Sequence, residues 1–413
     1  MLLHSFRNGD ISAAPFSGNL SAGIMKPATQ ANRWYDYDFA AIITGRVASD
    51  RHHTGYFNQL YAHLRLYIID ITAGVTPLVY GAQDPQLSSG GLLFSGNAHP
   101  VPRITIGIDK YTPFPGLYGY LHIRGGITHA WLNDHAEVSK VMLHHKFIGV
   151  KIGNPWPVSL SYEFHHAAQW GGYSPYHGDL GNNLDAFANV FLAKAGGSLL
   201  TDQLNAYGNH IGVQQLALHF HHKEFYAELY WQSIFEDRSA AFIGTGMNRA
   251  DGLWGINFKQ KRWPFINNFT YEFLNTTSQS GPFHDKDGIV YAGRDGYYNN
   301  SVYTQGWTYF GQVTGNPFIQ PQNNRVRLHY AGIGGDIFGF IYTLSAAYVR
   351  NFGTYRYPQQ SHNTSLLLQV SKTVAKAWNL DFSFALAADI GNQYGNRFGA
   401  MLSIRKRGLI KAY

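Results

Sequence analysis

The sequence contains no cysteine, few charged residues and no long apolar run. Without cysteine, neither a disulfide framework nor thiol chemistry is possible. A transmembrane helix needs about 18 or more consecutive apolar residues, and no such run occurs. Charged residues make up 14% of the 413 positions, against about 25% in ordinary soluble domains. No charge block or proline-rich linker divides the chain, so we expect one large architecture.

Aromatic residues and glycine are abundant instead. Tyr, Phe and Trp make up 15% of the chain and Gly accounts for 45 residues, yet the mean hydropathy is only -0.22. A chain can combine these properties if apolar and polar residues alternate, because one face of each strand then meets lipid and the other meets a polar interior. This composition is typical of a transmembrane β-barrel.

The alternation is clearest between residues 213 and 237. Leu216, Leu218 and Phe220 fall on one face of an extended chain, whereas Gln215 and His219 fall on the other. After a short polar break, the eight residues from Phe225 to Gln232 alternate in the same way. Successive side chains of a strand point to opposite faces, so this pattern predicts two amphipathic strands joined by a tight turn.

The same pattern recurs from Trp34 to the end of the chain. With about 9–11 residues per crossing strand, it predicts roughly 16–18 strands. We therefore predict an all-β fold: a closed antiparallel transmembrane β-barrel of about 18 strands with long extracellular loops that partly occlude the lumen. Residues 1–31 are predicted to be an N-terminal periplasmic lead-in and residues 32–413 the barrel. The apolar run 186–193 is predicted to be a loop helix folded into the mouth or lumen.

Such a fold predicts location in the bacterial outer membrane. The first residues do not resemble a signal peptide, which a barrel inserted from the periplasm needs, so we expect that this sequence starts inside a longer precursor. The formal charge of +7 favours anionic partners.

Charged residues on the predicted polar faces are interpreted as lining the lumen. They either form internal salt bridges that fill a closed lumen or make an electropositive path for acidic solutes or sugars. The predicted lumen-lining residues are Arg46, Arg65, Arg124, Glu163, Glu228, Glu272, Arg325, Arg327, Arg397 and Arg405.

Nothing in the sequence supports an enzyme, a cofactor site or a metal site. His144–His145 and His165–His166 are adjacent pairs, and adjacent strand residues point apart. His219 and His221 share a face, but no third ligand stands at a defined spacing. Nucleophile, phosphate-loop and metalloprotease motifs are also absent from the sequence.

Aromatic residues in the predicted loops suggest carbohydrate binding. Their rings could stack on sugar rings while neighbouring Asn, Asp and Gln side chains bond the hydroxyls. An interfacial aromatic girdle is the competing interpretation.

Seven stretches in these loops and strand ends carry a family resemblance. They are LSSGGLLFSGNAHPVPRI (87–104), HHAAQWGG (165–172), NAYGNHIG (205–212), FED (235–237), DGLWGI (251–256), FLNTTSQSGP (273–282) and GRDGYYNNSVYTQGWTYFGQVTGNPF (293–318). In their order and spacing the chain resembles the Wzi-type capsule assembly family of outer-membrane proteins. It looks most like the version found in Bacteroides-related bacteria.

The resemblance implies an 18-stranded outer-membrane barrel, blocked by inward loops, that binds capsular polysaccharide in a lectin-like way. The implied polysaccharide-binding residues are Trp170, Asp237, Arg294, Asp295, Tyr297, Tyr298 and Trp307. The expected partners are surface polysaccharide or lipopolysaccharide, outer-membrane lipid and other outer-membrane proteins, with no nucleic acid. A porin-like channel for anionic solutes or saccharides, or a structural subunit of a larger outer-membrane complex, is the alternative.

Overall fold

The computed structural model describes residues 2–12, 14–29, 34–49, 54–134, 136–194, 206–236, 250–281, 284–286, 289–292, 294–374 and 379–408. Strands dominate this part of the chain, with one short α-helix, α1 (Leu184–Leu192). The strands of the main sheet are β1 (Ser17–Lys26), β2 (Tyr35–Ala48), β3 (Thr54–Leu66), β4 (Ile69–Val75), β5 (Pro102–Pro113), β6 (Leu121–Leu132), β7 (Val141–Ile152), β8 (Val158–Trp170), β11 (Asn209–His221), β12 (Phe225–Phe235), β13 (Gly252–Gln260), β14 (Asn268–Asn275), β19 (Val326–Ile337), β20 (Phe340–Gly353), β21 (Pro358–Val374), β22 (Leu380–Gly391) and β23 (Arg397–Lys406). Three small hairpins lie in the loops: β9 (Tyr173–Ser174) with β10 (Gly178–Asp179), β15 (His284–Lys286) with β16 (Ile289–Ala292), and β17 (Thr308–Tyr309) with β18 (Gln312–Val313).

Seventeen strands of the described residues form one sheet in which each strand pairs antiparallel with the next along the chain. The predicted hairpin at its centre is β11 and β12, where Leu218 faces Leu229 and His219 faces Glu228. Pairing is continuous from β1 to β23, and β1 and β23 form no pair with each other in the described chain. Within these residues, no helix is both long and apolar enough to cross a membrane.

The two ends of the sheet differ in their connections. At one end the chain turns within a few residues, for example at 67–68, 222–224 and 338–339. At the other end the connections are long, and they include residues 76–101 and 276–325. Large exposed aromatic side chains surround the short-turn end: Trp34, Tyr67, Tyr118, Trp156, Trp263 and Phe338. This ring is the aromatic girdle expected at a membrane interface.

The outward face of the sheet is apolar and exposed. Ile71, Ile106 and Ile127 are directly paired across β4, β5 and β6, so they share one face, and both Ile106 and Ile127 are exposed. The register continues this outward face around the wall, where similar exposed residues recur: Leu60, Leu64, Ile148, Leu160, Leu229, Leu344, Leu366 and Phe384. An apolar surface of this extent requires lipid or another cover.

The inward face surrounds a packed interior made by three segments. We call them the plug loop (residues 76–101), the cap loop (residues 294–324) and the N-terminal segment (residues 2–12). The plug loop contacts strands on several sides: Gln232 Oε1 of β12 accepts from the Leu92 amide at 3.1 Å, and Tyr80 packs on Phe147 of β7. Because the same loop meets well-separated strands, the sheet curves around it.

The N-terminal segment also packs inside the wall. The amide of Asn8 donates to the Gly96 carbonyl of the plug loop at 2.9 Å, and Tyr56 of β3 donates to Asp10 at 2.7 Å. Residues 17–26 then form β1, which pairs with β2 along its whole length. The prediction of an irregular lead-in up to residue 31 is therefore wrong for this stretch. Its small residues, Gly18, Ser21, Ala22 and Gly23, weakened the apolar alternation that marks the other strands.

Helix α1 lies on the outer face of the wall rather than in the mouth or lumen, where the sequence placed it. Phe187 packs on Trp170 and His144, and the latter is paired with Ala168 on the outward face. The helix begins at the Asn183 side chain, which accepts from the Ala186 amide at 2.8 Å. Lys146 donates to the Phe191 carbonyl at the helix C-terminus, where the helix dipole favours a cation. The short apolar run of α1 gave no indication of which side of the wall it covers.

Candidate functional site

The long-loop end carries most of the residues predicted to bind polysaccharide, and the cap loop holds three of them inside its packing. Tyr297, Tyr298 and Trp307 are at most 1% exposed. The Tyr298 hydroxyl donates to the Leu92 carbonyl of the plug loop at 2.5 Å and accepts from the Asn316 amide at 3.0 Å. The predicted stacking of these rings on sugar is wrong for this structure, because they present no face to solvent. They join the cap loop to the plug loop.

Tyr297 holds the cap loop to the start of β13. Its hydroxyl donates to Asp251 at 3.1 Å, and the amides of Ser278 and Gln279 donate to the same carboxylate at 2.9 and 2.6 Å. Burial, helped by the nearby charge of Asp295, raises the pKa of Asp251 to about 6 against the opposing effect of these hydrogen bonds. The carboxylate is therefore a structural acceptor near neutral pH.

Trp170 lies apart from the cap loop, on the outer face of β8 beneath α1. It is 3% exposed and packs on Phe187 and His129. An open cavity of about 770 Å³ adjoins it and is lined also by Met142, Asn183 and Asp185. Trp170 is therefore not part of one site with the cap-loop residues. Asp237, also predicted to bind polysaccharide, lies outside the described residues.

Arg294 and Asp295 lie at the rim of the long-loop end. Arg294 is exposed, with its guanidinium 5.7 Å from the ring centre of Tyr355, and Arg325 approaches the same ring at 4.0 Å. Asp295 accepts a hydrogen bond from Ser280. Of the six predicted polysaccharide-binding residues that the structure describes, Arg294 and Asp295 are the two that are not buried.

The connection between β20 and β21 extends this rim. Arg356 is exposed, and its guanidinium lies 5.3 Å from the ring of Tyr357, which is 68% exposed. We call Arg294, Arg325, Tyr355, Arg356 and Tyr357 the rim patch. Three cations beside two aromatic rings can bind acidic groups and stack on flat apolar surfaces. The sequence prediction missed residues 355–357, although Tyr-Arg-Tyr in a connection of only four residues was the signal that could have revealed them.

By strand register, most of the residues predicted to line the lumen lie on the inward face of the sheet. Arg46 donates to the Gly9 carbonyl of the N-terminal segment at 3.0 Å, and Arg65 lies 3.0 Å from Asp70. In the strand register, Arg397 and Arg405 of β23 lie opposite Asp389 and Asp381 on the inward face of β22.

Arg327 and Arg325 are exceptions to the lumen-lining prediction. Arg327 points outward, because Val326 and Leu328 on either side of it are buried inward while Arg327 is exposed. Arg325 precedes β19 and belongs to the rim. Both errors come from the unknown strand start, since a shift of one residue exchanges the two faces.

Three buried carboxylates show how the polar groups of the interior find hydrogen-bond partners. Glu163 accepts from Arg124 at 3.2 Å, from Tyr111 at 2.9 Å and pairs with His165 at 2.9 Å. Glu272, fully buried on β14, accepts from the Ser88 hydroxyl at 2.7 Å and from the Ser89 amide at 2.5 Å, both in the plug loop. Among the described residues, Glu228 bonds side chains of the wall, Asn257 at 2.9 Å and His219 at 3.2 Å. Salt bridges and plug contacts thus occupy these inward acids, as the closed-lumen alternative requires.

The histidines divide between the two faces of the wall. His145 contacts His165 at 3.2 Å on the inward face, and His166 contacts His210 at 2.8 Å on the outward face. Among the described residues, no group of three or more His, Asp or Glu side chains is arranged to hold a metal ion.

No protein-family model and no curated protein matches the chain. Among solved structures, the chain is similar to Wzi of Escherichia coli, described as an outer-membrane protein involved in group 1 capsule assembly and a carbohydrate-binding β-barrel. The TM-score is 0.62 at 13% identity, covering 96% of this chain and 79% of that one. A BenF-like porin from Pseudomonas fluorescens matches with a TM-score of 0.49 at 11% identity, covering 95% of this chain and 91% of the porin. OccK5 of Pseudomonas aeruginosa matches with a TM-score of 0.48 at 9% identity, covering 94% of this chain and 90% of OccK5.

The likeness to Wzi shows the fold, and the two porin likenesses are too distant to carry an argument. Together with the apolar outward face and the aromatic girdle, the fold places the chain in the bacterial outer membrane. The predicted all-β class and location are confirmed.

Proposed function

We propose that this protein binds surface polysaccharide at its long-loop end, in a lectin-like way, and takes part in capsule assembly or attachment. The observation that carries the proposal is the packed interior: the plug loop, cap loop and N-terminal segment pack against one another and against strands on several sides of the wall. An interior held by so many buried hydrogen bonds suits a binding protein better than a free channel. The carbohydrate binding of the structurally similar Wzi supports the same choice.

The rim patch is the proposed contact surface. Its guanidinium groups favour a polysaccharide with acidic groups, because guanidinium binds carboxylate through paired hydrogen bonds. Its exposed Tyr357 ring offers a stacking surface. The buried cap-loop rings support this surface from below without touching the glycan.

Binding of an acidic polysaccharide and of a neutral one to the reconstituted protein tests the proposal. Arg294→Ala with Arg356→Ala removes two exposed cations, each contributing about 0.5–1 kcal/mol, so affinity for the acidic polymer should fall roughly 5- to 30-fold. The matched control is Lys261→Ala with Arg262→Ala, which removes the same charge near the short turns. An equal loss in both double variants, or no loss in the first, would contradict the assignment of the rim patch.

A second candidate is a porin-like channel for anionic solutes. Arg397 and Arg405 on the inward face of β23 are exposed, which leaves cations accessible along one side of the interior. Electrical conductance separates this candidate from the first.

A further inference from the structure

Three basic side chains form a row across the outer face of the wall. Arg327 of β19 pairs directly with Arg350 of β20, and Arg350 pairs directly with His362 of β21. Directly paired residues of an antiparallel sheet have Cβ atoms about 4.5–5.5 Å apart on the same face. We call these three residues the basic row.

The basic row faces away from the lumen. Val326, Leu328 and Val349, which flank the arginines, are buried inward at 0–2% exposure, whereas Arg327 and Arg350 are exposed. Tyr348, two residues nearer the short-turn end of β20 and on the same face, is also exposed. The row therefore looks out over the lipid-facing wall.

The position along the strands places the basic row at the membrane–water interface on the long-loop side. Arg350 lies ten residues after Phe340, the exposed first residue of β20, which follows Phe338 of the aromatic girdle. Arg327 lies ten residues before Ile337, the last residue of β19. A strand tilted about 40° advances roughly 2.6 Å per residue along the barrel axis, so ten residues span about 26 Å. The apolar band of such barrels is about 25 Å tall. The guanidinium groups thus stand at the level of the lipid headgroups.

Among the described residues, no carboxylate neutralises the two arginines of the basic row. Like charges directly opposite each other destabilise a sheet, yet in the part of the chain that the structure describes neither arginine forms an ion pair with a carboxylate. The Arg327 side chain makes a long 3.4 Å contact with Asn275, and the Arg350 guanidinium lies 5.5 Å from the Phe352 ring. An anion between the two arginines would relieve their repulsion.

An open cavity of about 350 Å³ adjoins the basic row. Arg350 and His362 line it together with the polar side chains of Gln360 and Asn392 and the ring of Tyr348. Guanidinium, imidazole and amide groups are donors suited to phosphate oxygens, and guanidinium binds them in a fork geometry.

We propose that the basic row binds the phosphate of an anionic lipid headgroup in the outer leaflet of the membrane. A lipid is the occupant because the row faces lipid at headgroup depth, outside the lumen and below the rim patch. This site is independent of the proposed polysaccharide function, since it shares no residue with the rim patch.

Retention of lipid by the purified full chain, measured by native mass spectrometry, tests the proposal. The probes are diphosphoryl lipid A, its monophosphoryl form and phosphatidylcholine, each added in detergent. The full chain should retain the diphosphoryl lipid at least tenfold more than phosphatidylcholine. Arg327→Gln with Arg350→Gln should lower that retention at least tenfold while acidic-polysaccharide binding stays unchanged.

Lys261→Gln with Arg262→Gln is the matched control, and it should retain lipid as the unaltered chain does. Heat-dependent migration on gels should confirm that each variant is folded, as expected for exposed side chains. Unchanged retention by the arginine variant, or equal loss in the control, would overturn the proposal. Inorganic phosphate at 10 mM should compete weakly; if it binds alone as tightly as the diphosphoryl lipid, the lipid assignment is wrong.

Discussion

Replacing Glu272 with Ala should loosen the plug loop without unfolding the wall. The carboxylate on β14 accepts from Ser88 and Ser89 of the plug loop and from the hydroxyl of Tyr230 on the wall. The substitution leaves these buried donors without their acceptor. Each unmet buried donor costs about 1–3 kcal/mol, so the two plug-loop donors together weaken docking by roughly 2–6 kcal/mol.

Hydrogen–deuterium exchange of the amides between residues 86 and 94 measures this loosening. If docking of the plug loop weakens by about 3 kcal/mol, the population of the undocked loop rises roughly 150-fold. Amide exchange limited by that opening should accelerate by the same factor. Glu272→Gln keeps one acceptor oxygen and should show a smaller effect.

Glu228→Ala is the matched control for this experiment. Glu228 is also a buried inward acid. It lies on β12, two residues before Tyr230, which is level with Glu272 in the sheet. Its partners His219 and Asn257 belong to the wall. Exchange in the plug loop should therefore stay unchanged in Glu228→Ala. Equal acceleration in both variants, or none in Glu272→Ala, would refute the view that Glu272 anchors the plug loop.

Three further changes test the packing of the long-loop end and the wall. Tyr298→Phe removes the hydroxyl that joins Leu92 to Asn316 and should lower the free energy of unfolding by about 1–2 kcal/mol, measured by thermal denaturation in detergent. Burial raises the pKa of Asp251 to about 6. The stability that depends on its protonated form is therefore fully present below about pH 4 and is lost as the pH rises through 6. Asp251→Asn should flatten the dependence of the unfolding free energy on pH in this range. Arg124→Ala leaves Glu163 without its guanidinium partner and should destabilise by about 3–5 kcal/mol, and adding Glu163→Gln should recover part of the loss.

The wall could be predicted from the sequence because its signal is local. A strand with one face to lipid must alternate, and the hairpin formed by β11 and β12 shows the predicted faces residue by residue. β1 escaped prediction because the small residues Gly18 and Ala22 weaken its apolar outward face. Arg327 was assigned to the wrong face because the start of β19 follows a long loop, where nothing local fixes the register.

The site was harder to predict because exposure depends on long-range packing. Tyr298 and Tyr357 look alike in the sequence, as tyrosines among polar loop residues. One is buried by contacts with Leu92, more than 200 positions away, and the other is 68% exposed. The same limit applies to α1, whose apolar residues suit either side of the wall.

Single-channel recording of the unaltered chain in a planar bilayer tests the central claim most directly. If the plug loop, cap loop and N-terminal segment fill the interior, insertion of the protein should produce no discrete conductance steps. Stable, ohmic steps of uniform size would contradict the packed interior and favour a channel.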